Sequence, residues 1–189
     1  MGCTTPPDGF YLEYDAVAEA SWERLQEWTK KDKSIPWEIA IEGRRVAQFG
    51  CRYSFTDQKV DHTPVAPIPN LLREVLPHLN DGGEYTQCII NCYGPNDGIP
   101  FHMDDRDFGE TVLVYTFLEA RALMMRRIVK CTDDINQTTN AFTAYPRHRS
   151  CYKLSRSARW NWEHSVPEGC NERISVTLRS IQKRSDVAT

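Results

Sequence analysis

Nothing in the 189-residue chain approaches the roughly 20 consecutive apolar residues that a membrane-spanning helix needs, and no secretory apolar segment opens it. A soluble protein with no membrane partner is expected. Charge of one sign is also lacking: 23 Lys and Arg stand against 26 Asp and Glu, for a net charge of −3 and a pI near 6.0. That balance gives no global drive toward a polyanion, so nucleic-acid binding would have to come from a local basic surface. The seven cysteines (Cys3, Cys51, Cys88, Cys92, Cys131, Cys151 and Cys170) are odd in number and contain no Cys-x-x-Cys pair. Reduced thiols in the cytoplasm or nucleus fit them better than a disulfide framework. Met-Gly-Cys opens the chain, but Pro6 stands where the myristoylation pattern wants Ser or Thr. There is no internal repeat. What is present, 40% hydrophobic with 26% charged residues, is an ordinary globular mixture that supports one domain with a proper core.

Residues 1–9, with Pro6 and Pro7 among them, read as a flexible leader, and residues 10–189 as a single domain. Asp15 is placed to cap a helix running to about residue 29, because Ala18, Trp22, Leu25 and Trp28 recur at three- and four-residue spacing. Residues 36–41 suit a short strand, and 57–69, with three prolines, a loop. A second helix is predicted over 69–79, where Leu72, Val75, Leu76 and Leu79 keep the helical period and Pro77 threatens an early end, before a turn at 80–83. Beyond it the texture changes to strands over 86–93, 111–118, 122–129, 141–145, 150–154, 158–164 and 173–181. Their lengths and alternation predict a mainly β, α+β domain: a β-sandwich or jelly roll with the helices backing one sheet.

The chemistry concentrates in residues 90–105. His102 and Asp104 are two apart, so on an extended segment both side chains leave the same face. His164, about sixty residues later, would complete a set of two histidines and one carboxylate, which leaves open positions on non-haem Fe(II). A histidine beside Trp160 and Trp162 in alternation also suits a core residue bonded to a neighbour. Next come Arg173 and Arg179, six apart, which even spacing puts on one strand face with Ser175 and Thr177. Aligned arginines inside a strand call for an anion, since an unpaired buried charge is expensive. A diacid cosubstrate would supply one, and so would protein carboxylates such as Glu172 or Asp104. In residues 44–55, paired arginines run into aromatics, a mixture that suits phosphate contact and base stacking. Phe49, Tyr53 and Phe55 at even spacing equally suit a core-facing strand face.

Four motifs now stand in order: Asn91-Cys-Tyr93, Gly98-Ile-Pro-Phe-His102-Met-Asp104, Trp160-Asn-Trp-Glu-His164 and Arg173-Ile-Ser-Val-Thr-Leu-Arg179. Together they resemble the AlkB family of Fe(II)- and 2-oxoglutarate-dependent dioxygenases over about residues 44–181. The resemblance implies a double-stranded β-helix with N-terminal helices packed on the larger sheet. It implies that His102, Asp104 and His164 ligate iron, that Asn91 and Tyr93 hydrogen-bond 2-oxoglutarate, that Arg173 pairs with the distal carboxylate, and that Arg179 lies near Asp104. The implied reaction hydroxylates a C–H bond: on an N-methyl group the product loses formaldehyde, and on a carbon-bound group the hydroxyl stays.

In family members that repair methylated adenine and cytosine, an acidic residue stands two positions after the metal-binding aspartate. Here Arg106 occupies that position, and an arginine donates but cannot accept. The segments at 44–50, 108–114 and 146–150 are most similar to the branch that hydroxylates a modified wobble uridine in transfer RNA. The expectation is a monomeric oxygenase for nucleic acid, RNA before DNA. Arg44, Arg45, Tyr53, Phe55, Arg106 and Trp160 are its candidate substrate contacts, with Arg52, Arg147 and Arg149 as further basic residues, unless a separate RNA-binding or methyltransferase partner supplies the binding. A protein-directed oxygenase and an inactive nucleic-acid-binding module are the alternatives.

Overall fold

The computed structural model describes residues 5–40, 43–80, 84–128 and 140–182. The Met-Gly-Cys start, the turn residues 81–83 and Cys131 lie outside them. In the first half, β1 (Phe10–Glu13) precedes α1 (Glu19–Lys31), β2 (Trp37–Ile39), β3 (Arg45–Phe49), β4 (Cys51–Ser54), β5 (Lys59–Pro64) and α2 (Asn70–Val75), which a 3-10 turn over Pro77–Asn80 continues. In the second, β6 (Gln87–Tyr93), β7 (Ile99–His102), β8 (Phe108–Leu118), β9 (Leu123–Arg127), β10 (Ala141–Ala144) and β11 (Ser150–Leu154) lead into α3 (Arg156–Trp160), β12 (Trp162–Val166) and β13 (Arg173–Ile181).

Seven strands form the larger sheet in the order β1-β11-β8-β13-β6-β3-β2, four form the smaller in the order β10-β9-β12-β7, and β4 and β5 make a separate hairpin. All described pairings are antiparallel. The result is a mainly β, α+β double-stranded β-helix, or jelly roll, with its helices on the larger sheet.

Strand alternation divides the larger sheet between two cores. On β8, Leu113, Tyr115 and Phe117 join Ile90, Val176 and Leu178 beneath Trp22 and Leu25 of α1 and Leu72 and Val75 of α2. Trp22 stacks on Phe117 at 4.7 Å between ring centroids. The intervening Val112 and Val114 face the smaller sheet, against Leu123, Met125, Trp162 and Val166. The same alternation on β6 and β13 turns Ile90, Val176 and Leu178 to the helices and leaves Asn91, Tyr93, Arg173, Ser175, Thr177 and Arg179 for the interior of the roll.

Several local expectations are corrected. Helix α1 starts at Glu19, after Ala18, rather than from a cap at Asp15. Asp15 sits at φ 54° and spends its carboxylate on Arg147 (2.7 Å) and Arg149 (3.1 Å). The loop expected over 57–69 contains strand β5, which pairs with β4 because Tyr53 faces Val60 across the hairpin. The proposed strand over 158–164 is two elements. Asn161 N–H donates to Ser157 O at 2.8 Å and Arg159 N–H to Ser155 O at 3.2 Å, closing the short helix α3 before the strand begins at Trp162. Helix α2 stops at Val75, ahead of Pro77. Of the supposed leader, residues 7–9 are tied down: Pro7 is buried, Asp8 O accepts from Ala158 N–H (2.8 Å), and Gly9 O accepts from Ser155 N–H (3.0 Å).

Candidate active site

The mouth of the roll encloses a cavity of about 430 Å³ between the two sheets and the β4–β5 hairpin, within the size range of small-molecule sites. On the smaller sheet, His102 and His164 face each other as cross-strand partners, their ring centroids 4.3 Å apart. Asp104 lies just beyond the end of β7, buried, with Oδ2 3.9 Å from His164 Nε2 and Oδ1 paired with Arg179 Nη1. Arg179 also donates from Nε to Gln87 Oε1 (2.8 Å) and lies over the Phe108 ring at 3.9 Å.

These contacts set the protonation states. Burial alone would raise the Asp104 carboxyl. Arg179 first, then His164, His102 and Arg159, outweigh it and hold the group well below the usual carboxylate range. Burial, reinforced by His102, lowers His164 from 6.5 to about 3. His164 is therefore a neutral imidazole, the form that ligates metals. His102 places Nδ1 2.9 Å from Pro100 O, so an Nδ1–H bonded to that carbonyl leaves Nε2 free to ligate. The three groups are adjacent but not closed around an ion: among the described residues, no group of three His, Cys, Asp or Glu is assembled to hold a metal.

Deeper on the larger sheet, β13 and β6 bring Arg173 opposite Tyr93 and Ser175 opposite Asn91. Arg173 is 2% exposed; its Nη2 reaches Thr116 Oγ1 at 3.3 Å, while Nε and Nη1 are buried without a hydrogen-bond partner among the described residues. A guanidinium buried with two open donors is a costly arrangement unless an anion occupies it. Asn91 accepts from Arg44 Nε at 3.1 Å, leaving its amide nitrogen to donate.

The candidate substrate contacts divide. Arg44, Tyr53 and Phe55 line the cavity, with Arg44 over the Phe55 ring at 5.4 Å. Arg44 is 4% exposed, an interior cation rather than an open phosphate contact. Arg45 is exposed on the opposite strand face, over Trp37. Arg106 stands exposed on a turn closed by Phe108 N–H to Asp105 O, outside the cavity lining. Trp160 belongs to α3, its indole Nε1 3.4 Å from Glu110 Oε2, and is likewise outside the lining. Arg52 pairs with Glu38, and Arg147 and Arg149 pair with Asp15. The arginines grouped in the sequence reading thus do not form one basic surface. Missed altogether were Gln58 and Tyr152, which line the cavity, and the buried Arg159. No spacing rule marks them, because each reaches the site by tertiary contact.

No protein-family model matches the chain. Among curated proteins it is 24% identical over 155 residues to the RNA demethylase ALKBH9B of Arabidopsis thaliana, covering 75% of this chain. It is 25% identical over 175 residues to the tRNA (carboxymethyluridine(34)-5-O)-methyltransferase ALKBH8 of Mus musculus, covering 88% of this chain. An uncharacterized protein, L905, of Acanthamoeba polyphaga mimivirus is 23% identical, with 93% of this chain and 86% of that protein aligned. The solved structure of OsALKBH1 superposes with a TM-score of 0.66 over 94% of this chain and 99% of that one. The chain is thus similar in sequence to ALKBH9B and ALKBH8 and in fold to OsALKBH1. At 11% identity to OsALKBH1 the structural likeness is one of fold alone. The chain spans 30% of the length of ALKBH9B and 25% of that of ALKBH8.

Proposed function

We propose that the chain is an Fe(II)- and 2-oxoglutarate-dependent dioxygenase that hydroxylates or oxidatively demethylates a modified base, in RNA before DNA. The observation that carries this reading is the placement of a neutral His164, its partner His102 and an anionic Asp104 in one cavity with Asn91 and Tyr93, while Arg173, opposite Tyr93 on the neighbouring strand, is buried with Nε and Nη1 lacking a hydrogen-bond partner among the described residues. His102, Asp104 and His164 are the donor set for the metal, and Asn91, Tyr93 and Arg173 are the groups for the cosubstrate. Bound there, iron and 2-oxoglutarate would supply, with dioxygen, hydroxylation of a C–H bond, one oxygen atom going to the substrate and the other into succinate as carbon dioxide leaves.

The chain's own residues do the rest. Arg173, buried behind Tyr93, would hold one carboxylate, and Arg179 keeps Asp104 ionised. Val112, Val114 and Val166 exclude water from one side. Tyr53 and Phe55, edge-to-face at 5.4 Å, offer aromatic surface at the mouth for a base. ALKBH9B is an RNA demethylase and ALKBH8 a tRNA methyltransferase, which supports that substrate class. The wobble-uridine branch is the preferred specific reading, acting as a monomer or with a separate RNA-binding partner. Five described cysteines are unpaired, in keeping with a reducing cytoplasmic or nuclear site of action.

Purified protein with Fe(II) and 2-oxoglutarate should release succinate, and His102→Ala should abolish it. Turnover surviving that substitution would refute the metal assignment. Nucleoside mass spectrometry of transfer and messenger RNA before and after incubation then identifies the reaction, since loss of a methyl and gain of a hydroxyl differ in mass. A change confined to peptides would overturn the nucleic-acid reading.

A further inference from the structure

Strand pairing positions His102 and His164, which sit opposite each other on β7 and β12. Asp104 has no such support. It stands two residues past His102, the last residue of β7, in a segment without regular structure that ends in the turn at 105–108. A short carboxylate on an irregular segment swings by more than the tolerance of a metal site when its backbone shifts by an ångström. Some other contact must hold that backbone.

Arg159 makes the contact. It is 2% exposed, among the largest fully buried side chains in the molecule. Its Nη1 donates to Asp104 O (3.1 Å), Nη2 to Asp105 O (2.6 Å) and Phe108 O (3.2 Å), and Nε to Gly109 O (3.3 Å). The Trp160 ring covers the guanidinium at 4.0 Å. One planar fork thus gathers four backbone carbonyls, those of Asp104 and Asp105 before the turn and of Phe108 and Gly109 at the start of β8. Arg159 also lies five residues before His164, in the helix that leads into β12. It therefore ties the Asp104 backbone to the segment that carries the opposite histidine.

We propose that Arg159 is a positioning residue that sets the Asp104 carboxylate relative to His164, and that its donor geometry, rather than its charge, is what the site requires. The inference rests on the metal reading above. A lysine keeps the charge but offers one nitrogen, which cannot span four carbonyls arranged around a plane.

The test is anaerobic Mn(II) titration at a temperature where circular dichroism shows each variant folded, with thermal melts recorded in parallel. Arg159→Lys should bind Mn(II) about 10-fold or more weakly, the range seen when groups supporting metal ligands are changed. Trp160→Ala, at a partly exposed site, removes the cover without the fork and should weaken binding by a smaller factor. Arg24→Gln, which breaks an exposed ion pair with Glu74 far from the site, should leave it unchanged. Folded Arg159→Lys binding Mn(II) within twofold of the wild type would overturn the inference, even if its melting temperature falls. Should Arg159→Lys not fold, unaltered binding in Trp160→Ala has the same force. Wild-type protein that fails to bind Mn(II) at all would instead sink the metal reading itself.

Discussion

Asp104 stays ionised in a nearly dry setting because Arg179 meets it directly, with Gln87 and the Phe108 ring holding the guanidinium in turn. Removing one member of a buried pair strands the other, so Arg179→Met should cost about 3–5 kcal/mol of stability, measured by urea denaturation of the metal-free protein. Arg173 is a different case, since its Nε and Nη1 have no hydrogen-bond partner among the described residues, and the guanidinium rests on the Tyr93 ring at 4.8 Å. Arg173→Gln should therefore leave the fold near wild-type stability yet weaken 2-oxoglutarate binding by about 10-fold or more, the worth of a charge-assisted bond, read by isothermal titration calorimetry. His164 carries a pH signature. Its folded-state value, about 3, lies below the 6.5 of an unperturbed imidazole, so the unfolded chain takes up the proton first as pH falls. The contribution is whole above pH 6.5 and is lost progressively toward pH 3. Denaturant midpoints of the metal-free protein should fall across that window, and His164→Asn should flatten the dependence.

At the scale of elements, the β4–β5 hairpin shows how one side chain fixes a wall of the cavity. Gln48, 4% exposed, accepts from Tyr53 N–H at 2.7 Å and donates to Tyr53 O at 3.1 Å, substituting for a strand partner. The hairpin turns away from β3 at Gly50, whose φ is +80° and where a Cβ would lie 2.0 Å from Thr86 O. Gly50→Ala should destabilise by more than about 1 kcal/mol, since neither the dihedral nor the space suits a side chain, as a melting curve would register. Strand periodicity made β6, β8, β11 and β13 legible in the sequence, because their side chains alternate between two buried environments. It misread α3, where Trp160, Trp162 and His164 mimic strand spacing. It also missed β1 and β5, short strands that exist because a neighbour lends them hydrogen bonds.

Across the whole molecule, α1 and α2 and the active cavity lie on opposite faces of one sheet. Trp22 belongs wholly to the helix side, stacked on Phe117 and 5% exposed. Trp22→Ala should cost about 3–5 kcal/mol, while metal affinity measured well below the melting temperature stays unchanged. A parallel loss of metal affinity would mean that the two faces are not separable.

Residue types and their two-residue spacing determined by themselves that Arg173 and Arg179 share a strand face and that the chain is mainly β. Such periodicity follows from backbone geometry and needs no partner. Which strands meet, how Arg159 gathers the carbonyls behind Asp104, and why Arg44 turns inward while Arg45 and Arg106 remain outside were decided only in the tertiary structure. Those outcomes depend on contacts between residues tens of positions apart, where burial and hydrogen-bond satisfaction, rather than local spacing, select the arrangement.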